Sequence, residues 1–262
     1  MREPHQLIDT HAHLDDDVFG DDLGPLLERA DRAGVKSILV PGTTASSSAL
    51  AVSLARQWPQ LYAAVGIQPN YGRESTTEDW QHIVALARSS EVRAVGETGL
   101  DAHWNYTPMH IQRDLLDKHM RLSQELDLPL IVHMRDCSAE TVTLLRAARE
   151  RGPLRGVMHS FTGDVATARQ CLELGFFISF SGIITFKKSH LLREVAQQLP
   201  AERILVETDS PYLAPHPHRG HRPNEPAMLI HTAQCLADTR GVRWEELAAQ
   251  TTANASRLFQ FE

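Results

Sequence analysis

The sequence predicts an α/β fold, a (β/α)8 TIM barrel with additional C-terminal helices, and three observations predict it. Short apolar runs recur eight times, with a helical pattern between each run and the next. The length of 262 residues suits eight such units. The runs also tend to close on histidine or a carboxylate, which suits strands whose C-terminal ends share one working face.

The strand-like runs fall at 7-11, 36-41, 61-66, 92-97, 129-133, 155-159, 176-180 and 203-208. Helical patterns fill the intervals at 22-33, 46-58, 77-89, 109-127, 138-151, 164-174 and 189-199, each long enough to carry the chain back for a parallel neighbour. Strict alternation of β and α implies a parallel sheet closed into a barrel. Two further helices, near 227-240 and 243-258, follow the last strand. Local punctuation agrees with these limits. Ser75, Thr76, Thr77 and Glu78 read as a capping box, Gly34 and Gly152 follow helix ends, and Pro129 stands just outside the helix that Leu128 terminates. The proline-rich stretch from Pro211 to Pro223 reads as a loop overhanging the barrel mouth. With no repeat, linker or low-complexity tract, residues 1-262 read as one barrel domain.

Composition sets limits on function. Hydrophobic residues make up 42% and charged residues 23%, ordinary for a soluble globular chain. No apolar stretch is long enough to span a bilayer, and Met1 to His5 lead into the first strand without a signal-peptide core, so a cytoplasmic location and no membrane partner are expected. Cys137, Cys171 and Cys235 are odd in number and lack a Cys-x-x-Cys spacing, which suggests neither a disulfide framework nor a zinc knuckle. The net charge of −7 argues against a broad basic face gripping duplex DNA, while Arg73, Arg135, Lys187, Lys188, Arg219 and Arg222 follow strands and suit a few phosphates.

The strand ends carry the chemistry. His11 and His13 stand two apart at the end of the first run, and residues two apart on a strand point the same way, so both imidazoles can share one cation. Glu97, His133 and His159 close the fourth, fifth and sixth runs, and Glu207 and Asp209 close the eighth. In a parallel barrel these ends meet at one face. Six donors, His11, His13, Glu97, His133, His159 and Asp209, exceed what one four-coordinate ion needs. Two divalent ions (Zn, Mn or Mg) bridged by Glu97 are expected, the first on His11, His13 and Asp209, the second on His133 and His159. Asp209, Glu97 and Glu207 are the candidate catalytic residues, with Asp209 accepting or relaying a proton and Glu207 orienting a ligand or binding substrate.

The chain resembles the TatD family of metal-dependent deoxyribonucleases within the amidohydrolase-like barrels. The segments that carry the resemblance are residues 8-15, 96-101, 132-136, 159-163, 207-215, 224-226 and 252-259, spread over essentially the full length. The resemblance implies divalent-metal hydrolysis of phosphodiesters, and the expectation is a 3'-5' exodeoxyribonuclease acting on DNA ends or single strands through a hydroxide bridging two metals. DNA is the expected substrate, RNA a further one, and the enzyme is expected to be a monomer. Candidate substrate contacts are Arg135, Asp101, Phe161, Lys187, Arg222 and Asn224. His103, Trp104 and Tyr106 form a further candidate, a base-stacking wall. The pattern is broken at three places: Gln68 and Asn70 stand where the family usually has histidines, Ala102 replaces an aromatic, and the 219-226 loop is one residue longer than usual.

Two other readings use the same residues. A hydrolase of another ester, such as a D-aminoacyl-tRNA deacylase, would need the same metals. A metal-stabilised binding module without turnover would explain the neutral amides at Gln68 and Asn70. Barrels that bridge two zinc ions with a carboxylated lysine do not fit, because Glu97 occupies that strand end. A mononuclear deaminase would leave Glu97 without a role.

Overall fold

The computed structural model describes residues 6-20 and 23-261. Met1 to His5 and residue 22, where the first helix is expected to begin, lie outside the described residues. Among those described, eight parallel strands pair in sequence order: β1 (Leu7–Asp9), β2 (Val35–Pro41), β3 (Leu61–Val65), β4 (Val92–Asp101), β5 (Leu130–Arg135), β6 (Gly156–Met158), β7 (Phe176–Phe180) and β8 (Ile204–Val206). Thr10 N–H donates to Val206 O at 3.2 Å and Ala12 bridges Ser210, which draws β8 back towards β1 and nearly closes the barrel.

The helices α1 (Gly24–Arg32), α2 (Ala45–Gln57), α3 (Thr77–Leu86), α4 (Met109–Leu126), α5 (Ser138–Arg151), α6 (Val165–Glu173) and α7 (His190–Gln198) occupy the intervals between strands, and α8 (Leu229–Arg240) and α9 (Trp244–Phe259) follow β8. Their ends obey local chemistry. At α3 the capping box is formed by Thr76 and Asp79, one residue later than the Ser75–Glu78 expectation, because the Asp79 carboxylate reaches back to Thr76 N–H at 2.8 Å.

Alternation along the strands divides the apolar residues into two layers. Ile8, Leu39, Ala64, Ala94, Ile131, Val157, Phe177 and Leu205, one from each strand, pack together with Ala255, Leu258 and Phe259 of α9. Their neighbours, such as Ile38, Val65, Val132 and Val206, pack outward against the helices. Asn254 fixes α9 across the start of β8, its side-chain amide donating to Ala201 O and Ile204 O, both at 2.8 Å. The barrel thus has an apolar floor and leaves its polar chemistry to the other end.

One irregularity positions a key carboxylate. Val95 pairs with Leu130 and Thr98 with Val132, so β4 carries one residue more than β5 between these pairs, and Gly96 and Glu97 sit in the resulting bulge. Bulges re-aim side chains beside active sites. Gly96 has φ +129°, and a Cβ there would lie 2.7 Å from Ile131 O, so glycine is required. β4 then continues to Asp101, four residues beyond the expected end, because its pairing with β5 resumes after the bulge.

Candidate metal centre

The strand ends converge as their sequence implied. Glu97 is 3% exposed, and each of its oxygens faces a pair of histidines. Oε2 lies 3.3 Å from His11 Nε2 and 3.7 Å from His13 Nε2; Oε1 lies 3.0 Å from His133 Nδ1 and 3.3 Å from His159 Nε2. Asp209 Oδ1 joins the first pair at 3.8 and 3.6 Å. His11, His13 and Glu97 form one group able to hold a metal ion, and Glu97, His133 and His159 form another.

The donor set fits divalent cations. His11 Nε2 and His13 Nε2 face each other at 3.2 Å, as do His133 Nδ1 and His159 Nε2, so lone pairs and carboxylates crowd around common points where a cation would satisfy all of them. The groups also polarise one another. Burial pulls His13 down, but its hydrogen bond to Asp209 and the charges of Glu97 and Asp209 push it up to about 9. Burial raises Glu97, yet the His159 charge and hydrogen bonds from His11, His133 and His159 hold it well below the usual carboxylate range. Asp209 is likewise lowered against its burial by the His13 hydrogen bond and neighbouring imidazoles.

A ring of carboxylates holds the histidines from behind. Asp101 Oδ2 meets His133 Nε2 at 3.1 Å, and Glu207 Oε1 meets His159 Nδ1 at 3.3 Å while accepting Ser160 N–H at 2.7 Å. Asp9, fully buried, accepts the backbone N–H of His11 and of Thr208 and the Thr208 hydroxyl; burial pushes its pKa up to about 7. Sequence reasoning passed over Asp9, although its signal was available: Asp9, His11, His13 and Asp15 repeat at a spacing of two. Asn70 donates from its side chain to Asp101 Oδ2 at 3.1 Å, and Gln68 Oε1 accepts Asn70 N–H at 2.8 Å, so both amides are built into the support of His133.

The centre opens into a cavity of about 1180 Å³ lined by His13, Glu97, His133, His159 and Asp209 at depth, and by Arg73, Arg135, Trp104, Tyr106, Tyr71 and Tyr212 around them. Of the six expected substrate contacts, Arg135 lines this cavity. Asp101 reaches it too, but its oxygens are occupied by His133, Asn70 and the backbone N–H groups of His103 and Trp104. The other four are placed elsewhere. Phe161 is buried in the outer core, its N–H donating to Ser179 O of β7, and Asn224 is buried with its amide donating to Thr208 O and Tyr212 O. Lys187 is exposed and does not line the cavity, and Arg222 lines a smaller one of about 540 Å³ beyond Tyr212. Among the described residues no helix is long and apolar enough to cross a membrane.

A nearly closed (β/α)8 barrel with such a cluster at its strand ends defines the class of metal-dependent hydrolase barrels. Residues 8–260 match the family model described as TatD related DNase, and the chain belongs to that family. It is 38% identical to the Bacillus subtilis protein named uncharacterized metal-dependent hydrolase YabD, covering 97% of this chain and 99% of that protein. It is 35% identical to the Citrobacter rodentium 3'-5' ssDNA/RNA exonuclease TatD, over 97% of each. The crystal structure of the Escherichia coli TatD homolog YJJV superposes with a TM-score of 0.92 at 31% identity, covering 98% of this chain and 99% of that one.

Proposed function

We propose that this hydrolase is a 3'-5' exonuclease that removes nucleotides from single-stranded ends, DNA foremost and RNA in addition, working as a monomer in the cytoplasm with two divalent ions. The observation that carries the reading is the division of Glu97, one oxygen to His11 and His13, the other to His133 and His159, at the base of a cavity with arginines around it. One ion is assigned to His11, His13, Glu97 and Asp209, the other to Glu97, His133 and His159. When bound, such ions polarise phosphoryl oxygens and bring the ionisation of water near neutral pH.

The chain's own groups do the rest. Asp209 faces the cavity beside the first histidine pair and, with the ions bound, would accept the proton of the attacking water. Asp101 and Glu207 fix the ring orientations of His133 and His159. Arg73 and Arg135 meet the phosphates of the incoming strand, and a cavity of about 1180 Å³ at the barrel mouth admits an end more readily than the middle of a duplex. The relative named as a 3'-5' ssDNA/RNA exonuclease supports the polarity and the single-stranded substrate.

The test is one panel. Protein stripped with a chelator and reloaded with Zn²⁺, Mn²⁺ or Mg²⁺ is assayed on end-labelled single-stranded DNA, duplex DNA, RNA and D-aminoacyl-tRNA, with a Gln68→His, Asn70→His double variant alongside. Stepwise shortening from the 3' end, lost on stripping and restored by metal, is expected. Deacylation without shortening would make the chain an esterase, and inactivity of both proteins on every substrate would make it a binding module.

A further inference from the structure

Two aromatic side chains stand outside the barrel where folding alone gives them little reason to be. Trp104 is 44% exposed and Tyr106 58% exposed, yet their rings lie nearly parallel, 21° apart with centroids at 5.6 Å. Both line the cavity above the metal centre, and the Arg135 guanidinium lies over the Trp104 ring, 5.6 Å from its centroid. Exposed large apolar surface at the edge of a polar cavity is a mark of a binding site.

The loop that carries them is fixed at both ends. Buried Gln112 accepts Asp101 N–H at 2.8 Å and donates to Asp101 O and Thr107 O, and Thr107 Oγ1 accepts Arg73 N–H. Trp104 N–H donates to Asp101 Oδ1 at 3.0 Å, while Asp101 Oδ2 holds His133. One carboxylate therefore sets the position of the aromatic pair relative to the metal centre. A ring pair pre-ordered in this way loses little freedom when a flat ligand settles on it.

Resting on the nuclease reading above, we propose that the Trp104–Tyr106 stack forms a platform on whose open face, that of the more exposed Tyr106, an unstacked nucleobase of the single strand lies, with Arg135, over the Trp104 ring, meeting the strand's phosphate. Stacking of this kind accepts every base, because every base has a π-face, and it needs the base free of a duplex. The platform thus gives preference for single strands without preference for sequence.

The experiment compares two hydrolysis-resistant phosphorothioate strands of equal length and charge, one bearing bases and one abasic, binding to the metal-loaded protein. Wild type is expected to bind the base-bearing strand roughly tenfold more tightly, and Trp104→Ala with Tyr106→Ala to bring that ratio near one. Trp104→Phe, which keeps a ring, is expected to retain most of the ratio. The salt dependence of binding should be unchanged in both variants, since no charge is removed. A wild type that shortens ordinary single strands but binds both phosphorothioate strands equally would overturn the platform alone. A double variant that keeps the wild-type ratio would do the same. A wild type that neither shortens nor binds any strand would remove the nuclease reading, and the platform with it.

Discussion

The two ends of the barrel are built from the same eight strands and have opposite physical character. At the floor each strand gives one apolar side chain to a cluster sealed by Ala255, Leu258 and Phe259 of α9. At the mouth the strands that carry the candidate metal centre give histidines and carboxylates, several of them buried, and the backbone is held in the left-handed region at Ser160 (φ +41°) and Asp209 (φ +58°). Burying charge and holding non-glycine residues at positive φ both cost free energy. The floor offsets that cost by burying hydrocarbon. Stability and chemistry are thereby separated along the barrel axis, so substitutions at the two ends should fail in different assays.

The largest effects test that separation directly. Glu97→Gln is expected to lower turnover by about 10³-fold, because the group loses its charge and one of the two oxygens that face the histidine pairs becomes an NH2, while the circular dichroism spectrum stays that of the wild type. Wild-type rates in this variant would place the chemistry elsewhere. Phe259→Ala should do the reverse, removing about 3–5 kcal/mol of stability in denaturant unfolding while leaving the metal content of the folded protein unchanged. A loss of metal without a loss of stability would mean that the floor and the mouth are coupled.

The same division explains what could be read from the sequence. Strand-end histidines and carboxylates were legible because the alternation of a strand and the parallel order of a barrel fix where such residues meet, and His11, His13, Glu97, His133, His159 and Asp209 do meet. Substrate contacts were less legible. Phe161 stands two positions after His159 whether it faces the cavity or the core, and it packs into the outer apolar cluster, a choice made by tertiary packing that local sequence does not carry. The support of His133 by Asn70 through Asp101 joins β3's exit loop to β4 and β5, and no local pattern announces it. The capping box falls one residue beyond its expected place because Ser75 and Thr76 are both competent caps, and only the reach of Asp79 decides between them.

Between the two ends, His119 of α4 offers a pH-dependent test of how the mouth is held. It is fully buried, its Nε2 accepts Ile67 N–H at 3.0 Å, and its Nδ1–H donates to Leu115 O, so it anchors the loop leaving β3 in the neutral form. Burial, opposed by the Leu115 hydrogen bond and aided by the nearby Lys118 charge, lowers its pKa to about 4. Because the folded value lies below the unfolded one, the unfolded chain takes up the proton first as pH falls. Stability from this group is therefore complete above about pH 6.5 and is lost as pH falls towards 4, by roughly 3 kcal/mol in all. His119→Gln, which keeps an acceptor for Ile67 and cannot take up a proton, should flatten this part of the stability profile. A slope unchanged by the substitution would assign the acid sensitivity to other groups.

The smallest effects are expected behind the histidines, where the mouth can be graded within itself. Asp101 Oδ2 and Glu207 Oε1 each hold the far nitrogen of one imidazole, and partners of this kind tune metal affinity. Asp101→Asn and Glu207→Gln should each weaken Zn²⁺ binding by roughly 10- to 100-fold, read by competition with a chromophoric chelator. Asn70→Ala removes one hydrogen bond to Asp101 but leaves it His133 and the backbone N–H groups of His103 and Trp104, so a loss of about fivefold is expected. If Asn70→Ala cost as much as Asp101→Asn, the amide would be acting on the cation itself through Asn70 Oδ1, which is buried without a hydrogen-bond partner among the described residues, and the metal centre would extend to the loop after β3.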